Sequence, residues 1–406
     1  MPKVRLGWFI FILPFLSVRM SQGENQSAII PGIEVLVREE AGSISGKRIG
    51  LITNHTGVDR QLRHDIDLLW NLPGVRLVAL FSPEHGIRGM AQAGEEVSSS
   101  LDPRSGIPIF SLYGRQTRPT PEMLRDVDLL VYDIQDLGLR FYTYIFTLGE
   151  CMKAASAAGI PFLVLDRPAP LTGAILEGNL LEEKMTSAVG PYRIPIRYGM
   201  TPGELAIFLK GELNLPLKLD VVKMKNWRRS NWQDETGLAW IPPSPNIPTL
   251  QSALVYAGTC LIEGTNLSEG RGTAQPFEIL GAPWIDGEAL AESLNKQSLP
   301  GVLFRPTGFT PAFSKFSGQN CRGIQIHIVD RNRFQSLETA LALISHLRHR
   351  YLDKFQWLAS HFDRLAGTEK LRASIDAGKP VSQILAEWKK QLGPFLEKRQ
   401  KCLLYR

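Results

Sequence analysis

The chain has 406 residues, of which 44% are hydrophobic and 21% are charged. This length exceeds the size at which a single hydrophobic core stops growing, so it predicts two domains. The formal net charge of +6 would suit an anionic partner. However, no Lys/Arg cluster is interleaved with aromatic residues as in a strand-binding groove, so the sequence argues against nucleic acid as that partner.

The N-terminus has the layout of a secretory signal peptide. Basic residues within the first five positions precede an apolar run over 6–18, and polar residues follow at 21–26. The run is too short to cross about 30 Å of hydrocarbon. We therefore predict a leader over 1–22, export to the periplasm or beyond, and no stable membrane anchor after cleavage. An uncleaved anchor remains open because no A-x-A site is visible.

The cysteines and histidines do not follow a metal-binding spacing. Cys151, Cys260, Cys321 and Cys402 are far apart, and no C-x-x-C, H-x-H or H-x-x-x-H pattern occurs. Most of these thiols are expected to be buried, although an exported protein could hold one or two disulfides. We predict no metal and no cofactor.

From Lys47 onward, short apolar strands alternate with helical stretches, which is typical of a parallel sheet covered on both faces. Helices are expected at 65–72, 147–158 and 201–213. Strands are expected at 48–53, 75–81, 109–113, 129–133, 162–166 and 219–224. The pattern predicts an α/β fold with a Rossmann-like parallel sheet.

The segment 241–248 contains four prolines, which are incompatible with a helix or a central strand, so we place the domain boundary there. Residues 28–248 are then the domain that contains the Rossmann-like sheet. Residues 249–406 form a smaller α/β auxiliary domain, with a helix at 249–261, strands at 302–305 and 323–329, and helices after 336 and 381.

The predicted strands end in polar clusters. Because ligands of open parallel sheets bind beyond the carboxyl ends of the strands, the loops 82–89, 133–144 and 166–170 should converge on one cleft. In the first loop, Glu84 and His85 follow a strand directly. A partly desolvated Glu suits the protonation of a glycosidic oxygen, while the alternative is an exposed surface turn.

Loop 133–144 combines two carboxylates, an amide, an arginine and tyrosines, a mixture suited to sugar hydroxyls and sugar faces. Its candidate residues are Asp133, Asp136, Arg140, Tyr142 and Tyr144. Alternatively, Asp136 and Arg140 form a pair on one helix face and the tyrosines pack in the core.

Glycine-rich segment 263–273 carries Glu263, Glu269 and Arg271, and the arginine could bind a carboxylate. A phosphate-binding loop is the rival interpretation, but neither of its glycine motifs is present. Asp166, at the end of another strand, is as compatible with a salt-bridged turn as with a site.

These segments together resemble the NamZ family of exo-β-N-acetylmuramidases, long known only as a domain of unknown function. The resemblance covers nearly the whole mature chain. It rests on six segments in order, at 50–57, 81–89, 132–144, 165–168, 263–273 and 362–367.

The resemblance implies an exo-acting glycosidase that releases N-acetylmuramic acid from the non-reducing end of peptidoglycan fragments during cell-wall turnover. It also implies a Rossmann-like domain followed by an auxiliary domain, with substrate in the cleft between them and no nicotinamide cofactor. On this basis Glu84 is the first choice for general acid.

For the second catalytic role Asp136, Asp133, Glu263 and Glu269 are candidates, with Asp136 and Glu263 preferred, and the substrate N-acetyl group could itself be the nucleophile. Arg140 and Arg271 are expected to bind the lactyl carboxylate, and Tyr142 or Tyr144 to pack on the sugar. The expected substrate-binding set is completed by Asn54, His55, His85, Asp133, Asp166 and Glu269.

Two other functions stay open. The chain could be a wall-binding module that holds muropeptides without cleaving them. It could also be another hydrolase of envelope sugars, although the G-x-S-x-G motif of esterases is missing. The stereochemical outcome is not set by the sequence.

Overall fold

The computed structural model describes residues 28–92, 94–95 and 98–406, so the expected leader over 1–22 lies outside the described residues. The first half of the chain builds a seven-stranded sheet in the order β3-β4-β2-β1-β5-β6-β7, parallel except for the edge strand β3. Its strands are β1 Arg48–Thr53, β2 Arg76–Ser82, β3 Ser100–Leu101, β4 Pro108–Ser111, β5 Leu129–Asp133, β6 Phe162–Leu165 and β7 Leu219–Val222.

The second half builds a three-stranded antiparallel sheet in the order β8-β10-β9. Its strands are β8 Ile279–Ala282, β9 Val302–Phe309 and β10 Cys321–Ile328. This small sheet and the parallel sheet confirm the predicted two-part α/β fold.

The helices cover the sheets and form most of the C-terminal end. They are α1 Gly32–Val35, α2 Asp65–Trp70, α3 Pro121–Leu124, α4 Tyr144–Ala158, α5 Pro202–Glu212, α6 Leu250–Thr259, α7 Gly287–Asn295, α8 Ser336–Arg350, α9 Ala359–Ala366, α10 Lys370–Asp376, α11 Val381–Gln391 and α12 Gly393–Gln400. Short 3₁₀ or π segments lie at Leu36–Glu40, Ala41–Ile44, Glu183–Met185, Gln233–Glu235 and Cys260–Gly264. Among the described residues, no helix is long and apolar enough to span a membrane.

The strand order explains where a site can form. From β1 the chain runs outward through β2 and β4 on one side and through β5, β6 and β7 on the other, so the order reverses beside β1. Loops that leave the carboxyl ends of β1 and β5 turn to opposite sides at this reversal and leave a crevice. One apolar cluster, which includes Ile52, Tyr256 and Phe362, continues from this sheet into the second half of the chain.

Some elements differ from the sequence-based predictions. Helix α4 begins at Tyr144 rather than 147, and strand β9 extends to Phe309. The strands β3 and β8 were not predicted, because two residues of β3 and the short stretch Ile-Leu-Gly-Ala of β8 carry no period-two signal. All four cysteines are free thiols.

Candidate active site

A cavity of about 120 Å³ lies between the two halves of the chain, beyond the carboxyl end of β2. Residues of the first half that line it are Glu84, His85, Phe141, Tyr142, Thr143, Val189, Ser244, Asn246 and Ile247. Residues of the second half that line it are Tyr256, Cys260, Glu263, Arg271, Phe277, His361 and Leu365. We call these two sets the N-terminal wall and the C-terminal wall.

Glu84 lies two residues beyond the end of β2 and is 8% exposed. Its carboxylate accepts a hydrogen bond of 2.6 Å from the Thr143 hydroxyl and one of 2.9 Å from the backbone N–H of Gly94. Thr143 immediately precedes α4, so the loops after β2 and β5 meet at this carboxylate. The phenol of Tyr113 lies beside Glu84. Burial and the Glu84 carboxylate raise the pKa of Tyr113, so this phenol stays protonated.

His85 adopts a left-handed backbone conformation, with φ of 71°. This conformation is uncommon for a residue with a Cβ atom, and such residues cluster at functional sites. Its Nδ1 lies 2.7 Å from the carbonyl oxygen of Ala91. Because a carbonyl only accepts, Nδ1 carries the hydrogen, and a neutral imidazole then has Nε2 as its acceptor.

On the C-terminal wall, Glu263 lies at the end of the short 3₁₀ segment that follows α6. Its carboxylate is 2.7 Å from Arg271 Nη2 and 3.7 Å from His361 Nε2. Burial acts to raise the pKa of Glu263, but the contacts with His361 and Arg271 outweigh it and lower the pKa below the ordinary value. Glu263 is therefore held as a carboxylate.

Arg271 is fixed by contacts on three sides. Besides Glu263, its Nε lies 3.5 Å from Glu269, and its guanidinium lies over the Phe277 ring at 5.0 Å. Glu269 is buried outside the cavity lining and also accepts a bond of 3.0 Å from Lys315. Arg271 and Glu263 of the C-terminal wall, with Lys315 and Glu269 behind it, thus form a group of two cations and two carboxylates.

Aromatic side chains supply the apolar part of the cavity. Tyr142 packs edge-on to Tyr144 with ring centroids 4.9 Å apart, and Tyr256 packs edge-on to Phe277 at 4.6 Å. The hydroxyl of Tyr142 is buried without a hydrogen-bond partner within the described part of the chain. A ligand hydroxyl in the cavity would supply the missing partner.

Five predicted site residues therefore lie in the cavity lining: Glu84, His85, Tyr142, Glu263 and Arg271. The other eight do not. Asp136 is buried next to the tyrosines, where Tyr198 donates to its Oδ1 at 2.7 Å and burial raises its pKa to about 6. Tyr144 is fully buried and donates to the Pro243 carbonyl at 2.6 Å.

Asp133 and Asp166 are buried outside the cavity lining and have partners within the protein. Asp133 forms a bidentate ion pair with Arg167. Asp166 accepts from the Thr201 hydroxyl and from the N–H of Gly203, both at 2.8 Å, at the start of α5. Asp166 thus stabilises the start of α5 through uncharged donors, and not through the salt bridge of the alternative interpretation.

Asn54 and His55 lie at the end of β1, outside the lining. The Asn54 side chain accepts from the backbone and hydroxyl of Thr56 at 2.9 and 2.6 Å, which organises the loop. The His55 Nε2 lies 2.7 Å from the Pro242 carbonyl, so it joins this loop to the proline-rich segment.

Arg140 is fully buried, and its guanidinium donates to four backbone carbonyls, which belong to Asn179, Ile194, Leu365 and Ala366. No Asp or Glu of the described residues lies within ion-pair distance of it. With its donors used in this way, Arg140 has little capacity left for a substrate carboxylate.

Sequence reasoning missed several lining residues, above all Thr143, Tyr256, Phe277 and His361. Thr143 and His361 lie in or next to the segments that carried the resemblance, which was the available signal. Tyr256 lies in an apolar helix with no polar pattern, so nothing in the sequence distinguished it from a core residue. In the parts of the chain that the structure covers, no group of three or more His, Cys, Asp or Glu residues could hold a metal ion.

Comparisons with known proteins match nearly the whole chain. The family models described as exo-β-N-acetylmuramidase NamZ, N-terminal and C-terminal, match residues 49–251 and 254–405. The chain is 48% identical over 387 residues to the peptidoglycan β-N-acetylmuramidase NamZ of Bacillus subtilis, which covers 94% of each protein.

Two solved structures share the fold. Both are DUF1343 family proteins of Bacteroides fragilis. One has a TM-score of 0.87 and 40% identity, and covers 93% of this chain and 99% of that one. The other has a TM-score of 0.76 and 32% identity, and covers 94% of this chain and 99% of that one.

Proposed function

This chain belongs to the exo-β-N-acetylmuramidase NamZ family, and we propose that it is a glycosidase that releases N-acetylmuramic acid from the non-reducing end of peptidoglycan fragments. The observation that carries the proposal is the cavity between the two halves of the chain, where Glu84 and Glu263 come together with Arg271 and aromatic rings. Hydrolysis of a glycosidic bond uses two such acidic groups.

The two carboxyl groups support different roles. Glu84 has only uncharged donors in the described part of the structure, and it is the proposed general acid that protonates the leaving oxygen. Glu263, kept ionised by Arg271 and His361, supplies negative charge to the oxocarbenium-like transition state. Asp136 is not part of this scheme because it lies outside the cavity lining.

Arg271 is the proposed site for the lactyl carboxylate that distinguishes N-acetylmuramic acid from N-acetylglucosamine. It is the only Lys or Arg among the described residues that line the cavity. A guanidinium can bind a planar carboxylate through two parallel N–H donors. Tyr142 and Tyr256 offer ring surface and hydroxyl groups to the sugar.

The chain is proposed to act outside the cytoplasm, in the periplasm or beyond the cell. The support is the layout of residues 1–22 and the location of peptidoglycan itself. Residues 28–248 are proposed as the catalytic domain, and residues 249–406 as an auxiliary domain that completes the substrate cavity.

Product analysis on a disaccharide with N-acetylmuramic acid at the non-reducing end tests this function. We expect free N-acetylmuramic acid and N-acetylglucosamine in equal amounts, and no cleavage when the order of the sugars is reversed. A protein that binds the disaccharide but releases neither sugar would instead be a wall-binding module. Release of acetate or of an ester-linked group would indicate another envelope-sugar hydrolase.

A further inference from the structure

Arg140 connects the two walls of the cavity, although it lies in neither. On its N-terminal side the chain comes from strand β5 through Leu139, and on its C-terminal side Phe141, Tyr142 and Thr143, all part of the N-terminal wall, lead into α4. Thr143 in turn holds the carboxylate of Glu84. Any shift of the Arg140 backbone is therefore transmitted directly to the residues around Glu84.

The Arg140 side chain extends away from Glu84 and contacts helix α9. Its Nη2 donates to the carbonyls of Leu365 and Ala366 at 3.3 and 2.7 Å, which are the last residues of the helix. Its Nη1 donates to the carbonyls of Asn179 and Ile194 at 2.7 and 3.0 Å. One planar group thus joins the first half of the chain to the end of α9.

The end of α9 is shaped to receive this guanidinium. Carbonyls in the last turn of a helix have no partner within the helix and carry partial negative charge, so they attract a cation. Gly367 ends the helix with φ of 71°, and a Cβ atom there would lie 2.6 Å from Arg140 Nη2. Glycine at this position allows the close approach.

Helix α9 carries His361 and Leu365, which line the cavity. It packs on the segment Cys260–Gly264, where Leu358 donates its N–H to the Gly264 carbonyl at 2.9 Å. His361 lies 3.7 Å from the Glu263 carboxylate. The position of α9 consequently sets the position of the Glu263–His361 pair.

We propose that Arg140 is a positioning residue that fixes the separation between the Glu84 side and the Glu263–His361 side of the cavity, by holding the C-terminal end of α9 against the first half of the chain. This inference rests on the proposed function for its effect on turnover. A buried guanidinium that lacks a carboxylate partner in the described residues is costly, and an apolar side chain would fill the space at lower cost. The hydrogen bonds of Arg140 to carbonyls in both halves of the chain explain why an arginine is present.

Kinetics of Arg140→Lys test the proposal. Lysine keeps the charge but offers a single ammonium in place of the planar fork, so the four carbonyls cannot all be held. We expect kcat on a chromogenic N-acetylmuramide to fall about tenfold to hundredfold, with a smaller change in KM, because small misplacements of catalytic groups act mainly on the transition state. Gly367→Ala should have the same effect from the other side of the contact.

Arg197→Lys is the matched control. Arg197 is also fully buried, but its donors go to Glu177 and Leu171 within the first half of the chain. We expect this variant to lose stability while it keeps kcat near the wild-type value at a temperature where all variants are folded. A wild-type kcat in Arg140→Lys under the same conditions would overturn the proposal.

A double-mutant cycle separates positioning from general destabilisation. If Arg140 acts through α9, the loss caused by Arg140→Lys should be smaller in a His361→Asn background than in the wild type, because one of the two groups that it positions is gone. An unchanged loss in that background would contradict the proposal.

A measurement that needs no turnover keeps this inference distinct from the proposed function. In protein labelled at histidine, Arg140→Lys should shift the imidazole signals of His361, whereas Arg197→Lys should leave them in place. If the wild-type protein proves inactive but these shifts occur, the proposed function is wrong, while the proposal that Arg140 positions His361 is supported. If His361 is unaffected in an active enzyme, the positioning fails.

Discussion

On the N-terminal wall of the cavity, Glu84 accepts hydrogen bonds from a hydroxyl and a backbone N–H, whereas on the C-terminal wall Glu263 lies between a guanidinium and an imidazole. Uncharged donors can accompany a carboxyl group in either protonation state. A guanidinium favours the ionised state, and the pKa of Glu263 is lowered accordingly. The comparison teaches that two chemically identical side chains lie in electrostatically different surroundings, which supports the separate roles proposed for them.

The largest expected effect comes from the N-terminal wall. Glu84→Gln keeps the shape and one of the two accepting oxygens but removes the transferable proton, so we expect kcat on a natural disaccharide to fall by about a thousandfold. Initial rates of sugar release measure this. Glu182→Gln, in which the changed side chain contacts Thr368 and Lys370 away from the cavity, serves as the control and should be close to wild type. Near-normal turnover of Glu84→Gln would remove Glu84 from the mechanism.

Arg271→Gln tests the C-terminal wall. Loss of a charge-assisted contact with the lactyl carboxylate should raise KM for an N-acetylmuramide by about tenfold to hundredfold. The control is Lys315→Gln, since Lys315 also pairs with Glu269 but does not line the cavity. If Arg271→Gln weakens an N-acetylglucosaminide, which has no lactyl group, to the same degree, the assignment of Arg271 to the carboxylate is wrong.

The pH dependence of kcat in Arg271→Gln tests whether Arg271 keeps Glu263 ionised. In the wild type, His361 and Arg271 outweigh burial and keep the pKa of Glu263 low. Without Arg271, burial regains weight and the pKa rises, so Glu263 becomes protonated at a higher pH. We therefore expect the acid limb of kcat against pH to move upward in Arg271→Gln. An acid limb that stays in place would mean that ionised Glu263 does not limit the rate.

A smaller effect on kcat is expected from Thr143, whose hydroxyl donates to the Glu84 carboxylate. Thr143→Val keeps the volume of the side chain but removes the hydroxyl that donates to the carboxylate at 2.6 Å. We expect a fall in kcat of about threefold to tenfold with little change in KM. Thr186→Val, at an exposed hydroxyl that bonds only the carbonyl of Glu183, is the control. A loss as large as that of Glu84→Gln would show that Thr143 does more than hold the carboxylate.

The smallest expected effect on catalysis is at Asp136, which lies outside both walls. Burial raises its pKa from 3.8 to about 6, so the folded protein binds this proton more tightly than the unfolded chain does. The group therefore lowers stability as pH rises from about 4 to about 6, and its effect is constant above that window. Asp136→Asn should flatten this part of the pH dependence of unfolding, measured with urea, and leave kcat nearly unchanged. An unaltered slope would contradict the raised pKa.

The sequence predicted the parallel sheet because its buried strands are continuous apolar runs that end in polar clusters. It also brought out Glu84, His85 and Arg271, since each lies in a segment with an unusual density of reactive groups and glycines. In contrast, Arg140, Asp133 and Asp166 lie in equally polar segments but turned out to bind other parts of the chain. Local composition cannot distinguish a charge that faces a ligand from a charge that joins two segments, because the partner lies far away in the chain.

The C-terminal wall was the least predictable part of the site. Tyr256 and His361 are 105 positions apart, yet both line the cavity because α6 and α9 pack around the segment Cys260–Gly264. Neither helix shows its cavity-facing side as a polar stripe in the sequence. Such residues become visible only when the tertiary packing is known.

The division of roles between the walls is tested most directly by the leaving-group dependence of Glu84→Gln and Glu263→Gln. A nitrophenyl leaving group needs little protonation, whereas the sugar alcohol of a disaccharide needs it fully. The account predicts that Glu84→Gln loses at least about tenfold less kcat on 4-nitrophenyl N-acetylmuramide than on the disaccharide, while Glu263→Gln loses a similar factor on both. Equal losses of Glu84→Gln on the two substrates would contradict it.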